Sequence, residues 1–195
     1  MKITFRSTRL RAVLLLGLGA ALAACSDAPG VTAPVAPAPR ATTIAAINAA
    51  YAGPDAITAS SAATLLACPS TVEQSATGVI GPRGGTLGVD GSAILVPPGA
   101  VRVPTTFTFV VPASPVVQVD VSAAGVEHYQ FMRPVAISIS YARCDAAALP
   151  GSSLGAWWVD GSTLSQLGVM AGVDDRAHRR ITFVTDHLSG YAVVY

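Results

Sequence analysis

The chain holds few groups capable of chemistry, and the most suggestive are His187 and Ser189 in the run DHLSGYAVVY at residues 186–195. In an extended segment an imidazole two residues from a hydroxyl shares its face, so a base and a nucleophile can meet there. The same spacing equally suits a hydrogen-bonded corner that feeds a closing β-strand over 191–195. His128 and His178 stand far from His187 and from each other, without metal-ligand spacing. Asp174-Asp175 offers too few oxygens for calcium. The segment GPRGG at 81–85 precedes a strand pattern rather than a helix, so it is a poor phosphate cradle. The residues therefore predict no metal, no cofactor and no enzyme of the hydrolytic kind.

Charge narrows the partners. Twelve Lys and Arg face eleven Asp and Glu, a net charge of +1. Four of the basic residues, Lys2, Arg6, Arg9 and Arg11, lie in the first 24 positions, where there is no acid. The remainder carries eight basic and eleven acidic residues, a net of −3, and no lysine. Such a chain lacks the basic footprint of a nucleic-acid binder.

The N-terminus reads MKITFRSTRLR, then AVLLLGLGAALAA, then Cys25. A basic stretch thus leads an apolar run of about a dozen residues, too short to span a bilayer comfortably. The junction Leu22-Ala23-Ala24-Cys25 resembles the bacterial lipoprotein signal. That resemblance implies removal of residues 1–24, acylation of Cys25 and attachment to a membrane through several acyl chains. Ser26 after the cysteine implies the outer rather than the inner membrane of the cell envelope. An exported chain meets an oxidising compartment, where the remaining pair, Cys68 and Cys144, is expected to form a disulfide. Closing a loop of about 76 residues would stabilise the fold by on the order of 4 kcal/mol.

The chain around these groups must position them. Residues 25–67 begin Pro/Ala-rich, which predicts an extended tether. Within them ATTIAAINAAYAG could form a short helix or stay disordered. From residue 68 to 195 the pattern turns to β. Phe107 and Phe109 alternate with threonines, and Val117, Val119 and Val121 alternate with Gln118 and Asp120. Val135, Ile137, Ile139 and Tyr141 line one side of a further strand. Two hairpins are expected to turn on Asp90-Gly91 and Asp160-Gly161, since Asp-Gly supplies positive φ. Of the adjacent Trp157 and Trp158, one should enter the core and the other lie near the rim. About nine short strands without a helical period predict an all-β domain, an antiparallel β-sandwich.

Several pieces in order resemble a ZU-five domain, the β-sandwich of netrin receptors, ankyrins and zonula occludens proteins. They are GGTLGVDGSAILVPPGAV at 84–101, FMRPVAISISY at 131–141, LGAWWVDGS at 154–162 and DHLSGYAVV at 186–194. The resemblance covers about residues 78–195 and implies a fold more than an activity. Some ZU-five domains, and the autoproteolysis domain of adhesion-type receptors, cut themselves at a His-x-Ser or His-x-Thr. Carried over, His187 would be the base, Ser189 the nucleophile and Leu188–Ser189 the bond cut. Leu188 replaces the ZU-five phenylalanine, as in the adhesion-receptor motif. Only residues 189–195 lie beyond that bond, so cutting would release no further domain. The expected role is an interaction or structural module, held at the membrane by lipid on Cys25, with a protein or envelope polymer as partner. Self-processing is the alternative.

Overall fold

The computed structural model describes residues 57–58 and 62–195. The predicted signal, Cys25 and the possible helix at 41–53 lie outside the described residues. Thirteen strands are present among them: β1 (Ile57–Thr58), β2 (Ala67–Ser70), β3 (Gln74–Ile80), β4 (Gly85–Val89), β5 (Ser92–Val96), β6 (Thr105–Val111), β7 (Ser114–Val116), β8 (Gln118–Ala123), β9 (Gln130–Ser140), β10 (Gly155–Val159), β11 (Gln166–Asp175), β12 (Arg180–His187) and β13 (Gly190–Val194). The all-β antiparallel sandwich is as expected. The four strands beyond the expected nine include the two-residue β1 and the three-residue β7, too short to show a period.

The strands form two facing layers. One runs β4-β5-β9-β12 and the other β3-β6-β8-β13-β10, every pair antiparallel. β11 belongs to both. Its residues 166–170 pair with β10 and its residues 172–175 with β12. β1 adds to β11 at Ala171 and Gly172, and β2 with β7 forms a small separate sheet.

Alternation explains the core. Phe107, Phe109, Val119 and Val121 of one layer meet Ile94, Val135, Ile137, Ile139 and Phe183 of the other, all buried. Phe107 stacks on Phe131 across the layers at 5.8 Å between ring centroids, and Phe183 meets Tyr191 at 5.0 Å. Each such side chain contributes about 1.5–3 kcal/mol on burial. Cys68 and Cys144 are joined as expected, with Cα atoms 5.4 Å apart and a sequence separation of 76. Beside the bridge, Arg143 donates from Nε to the Cys68 carbonyl and from Nη2 to the Val116 carbonyl, tying down β2 and β7.

Packing begins before Cys68. Leu66 is in the core, and Thr64 exchanges backbone hydrogen bonds with Tyr195 in both directions. This segment covers the outer side of β13. Tyr191 and Val193 face the main core; Ala192 and Val194 join Trp157 and Val159 in a second cluster roofed by Ala63 and Leu65. All five residues of β13 are therefore buried.

Candidate functional site

His187 ends β12, Ser189 sits in the corner before β13, and Trp158 stands on β10 beside both. The corner is expected from the sequence; its wiring is not. The His187 Nδ1 lies 3.1 Å from Asp186 Oδ1 and 3.2 Å from Thr185 Oγ1. Its Nε2 is buried without a hydrogen-bond partner. The Trp158 ring packs edge-on against the imidazole at 4.5 Å between centroids. The Ser189 hydroxyl does not bond His187. It accepts from Trp158 Nε1 at 2.7 Å and points its own proton toward the Val159 carbonyl at 3.5 Å. Tyr191 fixes the corner from below, its hydroxyl donating to the His187 carbonyl at 2.7 Å.

The chemistry of this set is partial. A proton on Nδ1 that donates to Asp186 leaves the lone pair on Nε2, the tautomer a general base requires. The hydrogen bond to His187 also holds the Asp186 carboxyl below its ordinary range. An acid-oriented base is thus present, while the nucleophile's oxygen is occupied by Trp158. The scissile peptide is also well held. The Leu188 N–H donates to the Tyr129 carbonyl, the Val121 N–H donates to the Ser189 carbonyl, and neither Leu188 nor Ser189 has positive φ.

These residues line one wall of an open cleft of about 590 Å³. Its other walls bring Asp120, Glu127 and His128 from β8 and the loop after it, and Asp160 with Gly161 from the loop between β10 and β11. Four carboxylates converge here and no lysine or arginine does. They differ in how they are held. Ser162 and Thr163 donate four hydrogen bonds to Asp160 Oδ1 and bring its carboxyl down to about 2. Asp120 is half-buried, its carboxylate has no hydrogen-bond partner among the described residues, and desolvation pushes its pKa up.

The Asp160-Gly161 turn departs from expectation. β10 and β11 do pair, but through a loop over 160–165 closed by Leu164 N–H to Asp160 O and Asp160 N–H to Ser165 O. Positive φ falls on Leu164 (58°), not on Gly161. Trp157 and Trp158 point to opposite sides as expected, Trp157 into the second cluster and Trp158 to the cleft.

Other sequence candidates remain apart. His178 pairs with Asp175 in the β11–β12 hairpin, away from His187 and His128. No group of three or more His, Cys, Asp or Glu among the described residues can hold a metal ion. Residues 151–155, Gly-Ser-Ser-Leu-Gly, which the sequence reading passed over, have the spacing of a hydrolase nucleophile elbow, but they lead from an irregular loop into β10, whereas the elbow joins a strand to a helix. Asp120 and Trp158 are the residues that sequence reasoning did not assign to the site. Trp158 bonds a residue 31 positions away, so only its place at a hairpin rim gave any signal. No protein-family model matches the chain, and no curated protein matches it.

Proposed function

We propose that this is an exported protein, lipid-anchored in the cell envelope through Cys25, whose ZU-five-like β-sandwich serves as an interaction or structural module. The observation that carries this reading is the Cys68–Cys144 disulfide inside the sandwich. Such bonds persist in exported compartments and are reduced in the cytosol. The basic-apolar-small-Cys order of residues 1–25 agrees with it. The test is metabolic labelling with a fatty acid in cells making the chain or Cys25→Ser. Label and membrane fractionation should both depend on Cys25; a membrane-bound, unlabelled wild type would refute the anchor. The outer membrane is the expected destination, read by density fractionation.

A second reading, self-processing at Leu188–Ser189, draws on the Asp186-oriented imidazole. His187 would take the Ser189 hydroxyl proton as Oγ attacks the Leu188 carbonyl carbon. The C–N bond then breaks, the proton passes to the freed amine, and the acyl group rests on Oγ as an ester. Water would release the Leu188 carboxylate and restore the hydroxyl. We place it second because Trp158, not His187, bonds the hydroxyl and no strained backbone drives the shift. β13 would stay in the sheet after cutting, between β8 and β10. Denaturing intact-mass measurement decides it: one unbroken chain is expected, and a fragment beginning at Ser189, absent in Ser189→Ala, would promote this reading to first.

A further inference from the structure

Two hollows meet at the loop between β8 and β9. The first is the acidic cleft. The second is a groove of about 450 Å³ whose lining includes Val103, Pro104, Ala124 and Met132. Val126, Tyr129 and Gln130 line both, so the surface is continuous. The groove is apolar where water should favour polar groups. Val103 is 64% exposed, Met132 53% and Val126 44%, three of the eight exposed large hydrophobics among the described residues. A gathering of this kind marks an interaction surface more often than a scatter of single residues does.

The cleft supplies the complementary charge. Asp160 and Asp186 engage their carboxylates with Ser162, Thr163 and His187. Asp120 has no such partner among the described residues, and desolvation already burdens it. A Cβ at position 161 would lie 2.7 Å from Asp120 Oδ2, so the glycine there makes room for the carboxylate. Trp158 and Tyr129 also line the cleft. A half-buried carboxylate without a hydrogen-bond partner, in a cleft that holds four carboxylates and no lysine or arginine, suits a guanidinium, which is planar and weakly hydrated. Arg102 lines the groove but not the cleft, so a second cation is disfavoured at the apolar end.

We propose that this joined surface docks an extended segment of a partner protein that carries an arginine beside an aliphatic residue, Asp120 taking the guanidinium and the Val103–Val126–Met132 groove taking the aliphatic side chain. The inference rests on the interaction-module reading and gives that module's partner a chemistry.

The test is calorimetric titration of the full, disulfide-bonded chain at low salt. The probes are an acetylated, amidated peptide of alternating arginine and valine and its citrulline counterpart, which keeps the shape and loses the charge. The arginine peptide should bind about tenfold more tightly, as expected for one charge-assisted hydrogen bond. Asp120→Asn should abolish that preference, and its melting curve reports folding independently. Val126→Ser should weaken both peptides alike. Equal binding of the two peptides, no binding of either, or a preference that survives Asp120→Asn would each overturn the proposal. So would a dimer that buries Trp158 without peptide, which would assign the surface to a second copy. Photocrosslinkers at Val126 and at Val79 on β3 separate this failure from failure of the module reading. A partner captured from Val79 alone would leave the module standing and remove the docking site. Failed peptide binding with no partner captured from either position would remove both.

Discussion

The tetrapeptide Val-Asp-Gly-Ser occurs at 89–92 and again at 159–162, and the two copies fold differently. In the first, Asp90 (φ 54°) and Gly91 (φ 75°) make a two-residue hairpin turn, with Val89 paired to Ser92. In the second, Asp160 turns inward on its own loop and accepts four hydrogen bonds on one oxygen. The difference lies in the downstream residues. After Ser92 come Ala93 and the fully buried Ile94, so the core draws the chain straight into β5. After Ser162 come Thr163, Leu164 and Ser165. The Ser162 and Thr163 hydroxyls serve the Asp160 carboxylate, Thr163 also bonds Ser165, and Leu164 packs on the second cluster. Asp-Gly offers a turn; the neighbouring side chains decide whether it is taken.

Four substitutions test that contrast, the largest effect first. Gly91→Val forces a β-branched residue to positive φ and sets its Cβ 3.1 Å from Ser140 Oγ. It should cost about 2 kcal/mol in urea denaturation. Gly161→Ala has no such backbone penalty and should cost under about 1 kcal/mol. Its signature is instead a displaced Asp120, read as a loss of the arginine-over-citrulline preference. Equal costs at 91 and 161 would erase the distinction between the two turns.

Asp160→Asn comes third and shows itself through pH. The four hydrogen bonds depress the folded-state pKa of Asp160 from 3.8 to about 2. The ionised carboxylate therefore stabilises the fold above about pH 4, and that stability fades as pH falls toward 2. A melting-temperature difference between wild type and variant should shrink over that window; a constant difference would contradict the wiring. Asp90→Asn is the smallest, within about 0.5 kcal/mol, because asparagine accepts positive φ as readily as aspartate.

Legibility in the sequence tracked the reach of the forces involved. Strict alternation placed Phe107, Phe109, Val135, Ile137 and Ile139 in the core, because a strand's period is local. β3, with its small and mixed residues QSATGVI, gave no such signal; its place comes from pairing with β6. The passage of β11 between layers could not be read locally either. It turns on Gly172, where a Cβ would meet the Thr182 carbonyl at 3.2 Å and the Ile181 side chain at 3.3 Å. The site divides the same way. His187 and Ser189 were visible by spacing, whereas Trp158 and Asp120 reach them only through the register of β10 and β8 against β13.

One consequence of β11 reaches past the site. A strand hydrogen-bonded into both layers acts as the spine of a book: its covers cannot slide over one another on that side without tearing a ladder. Any gaping of the sandwich must start at the opposite margin, where β3 and β4 pack through side chains such as Ile80 and Leu87 but share no ladder among the described residues, the Gly81–Gly84 bridge lying in the connection between them. Amide deuterium uptake should accordingly spread inward from β3 and β4 and reach Val169 to Val173 last.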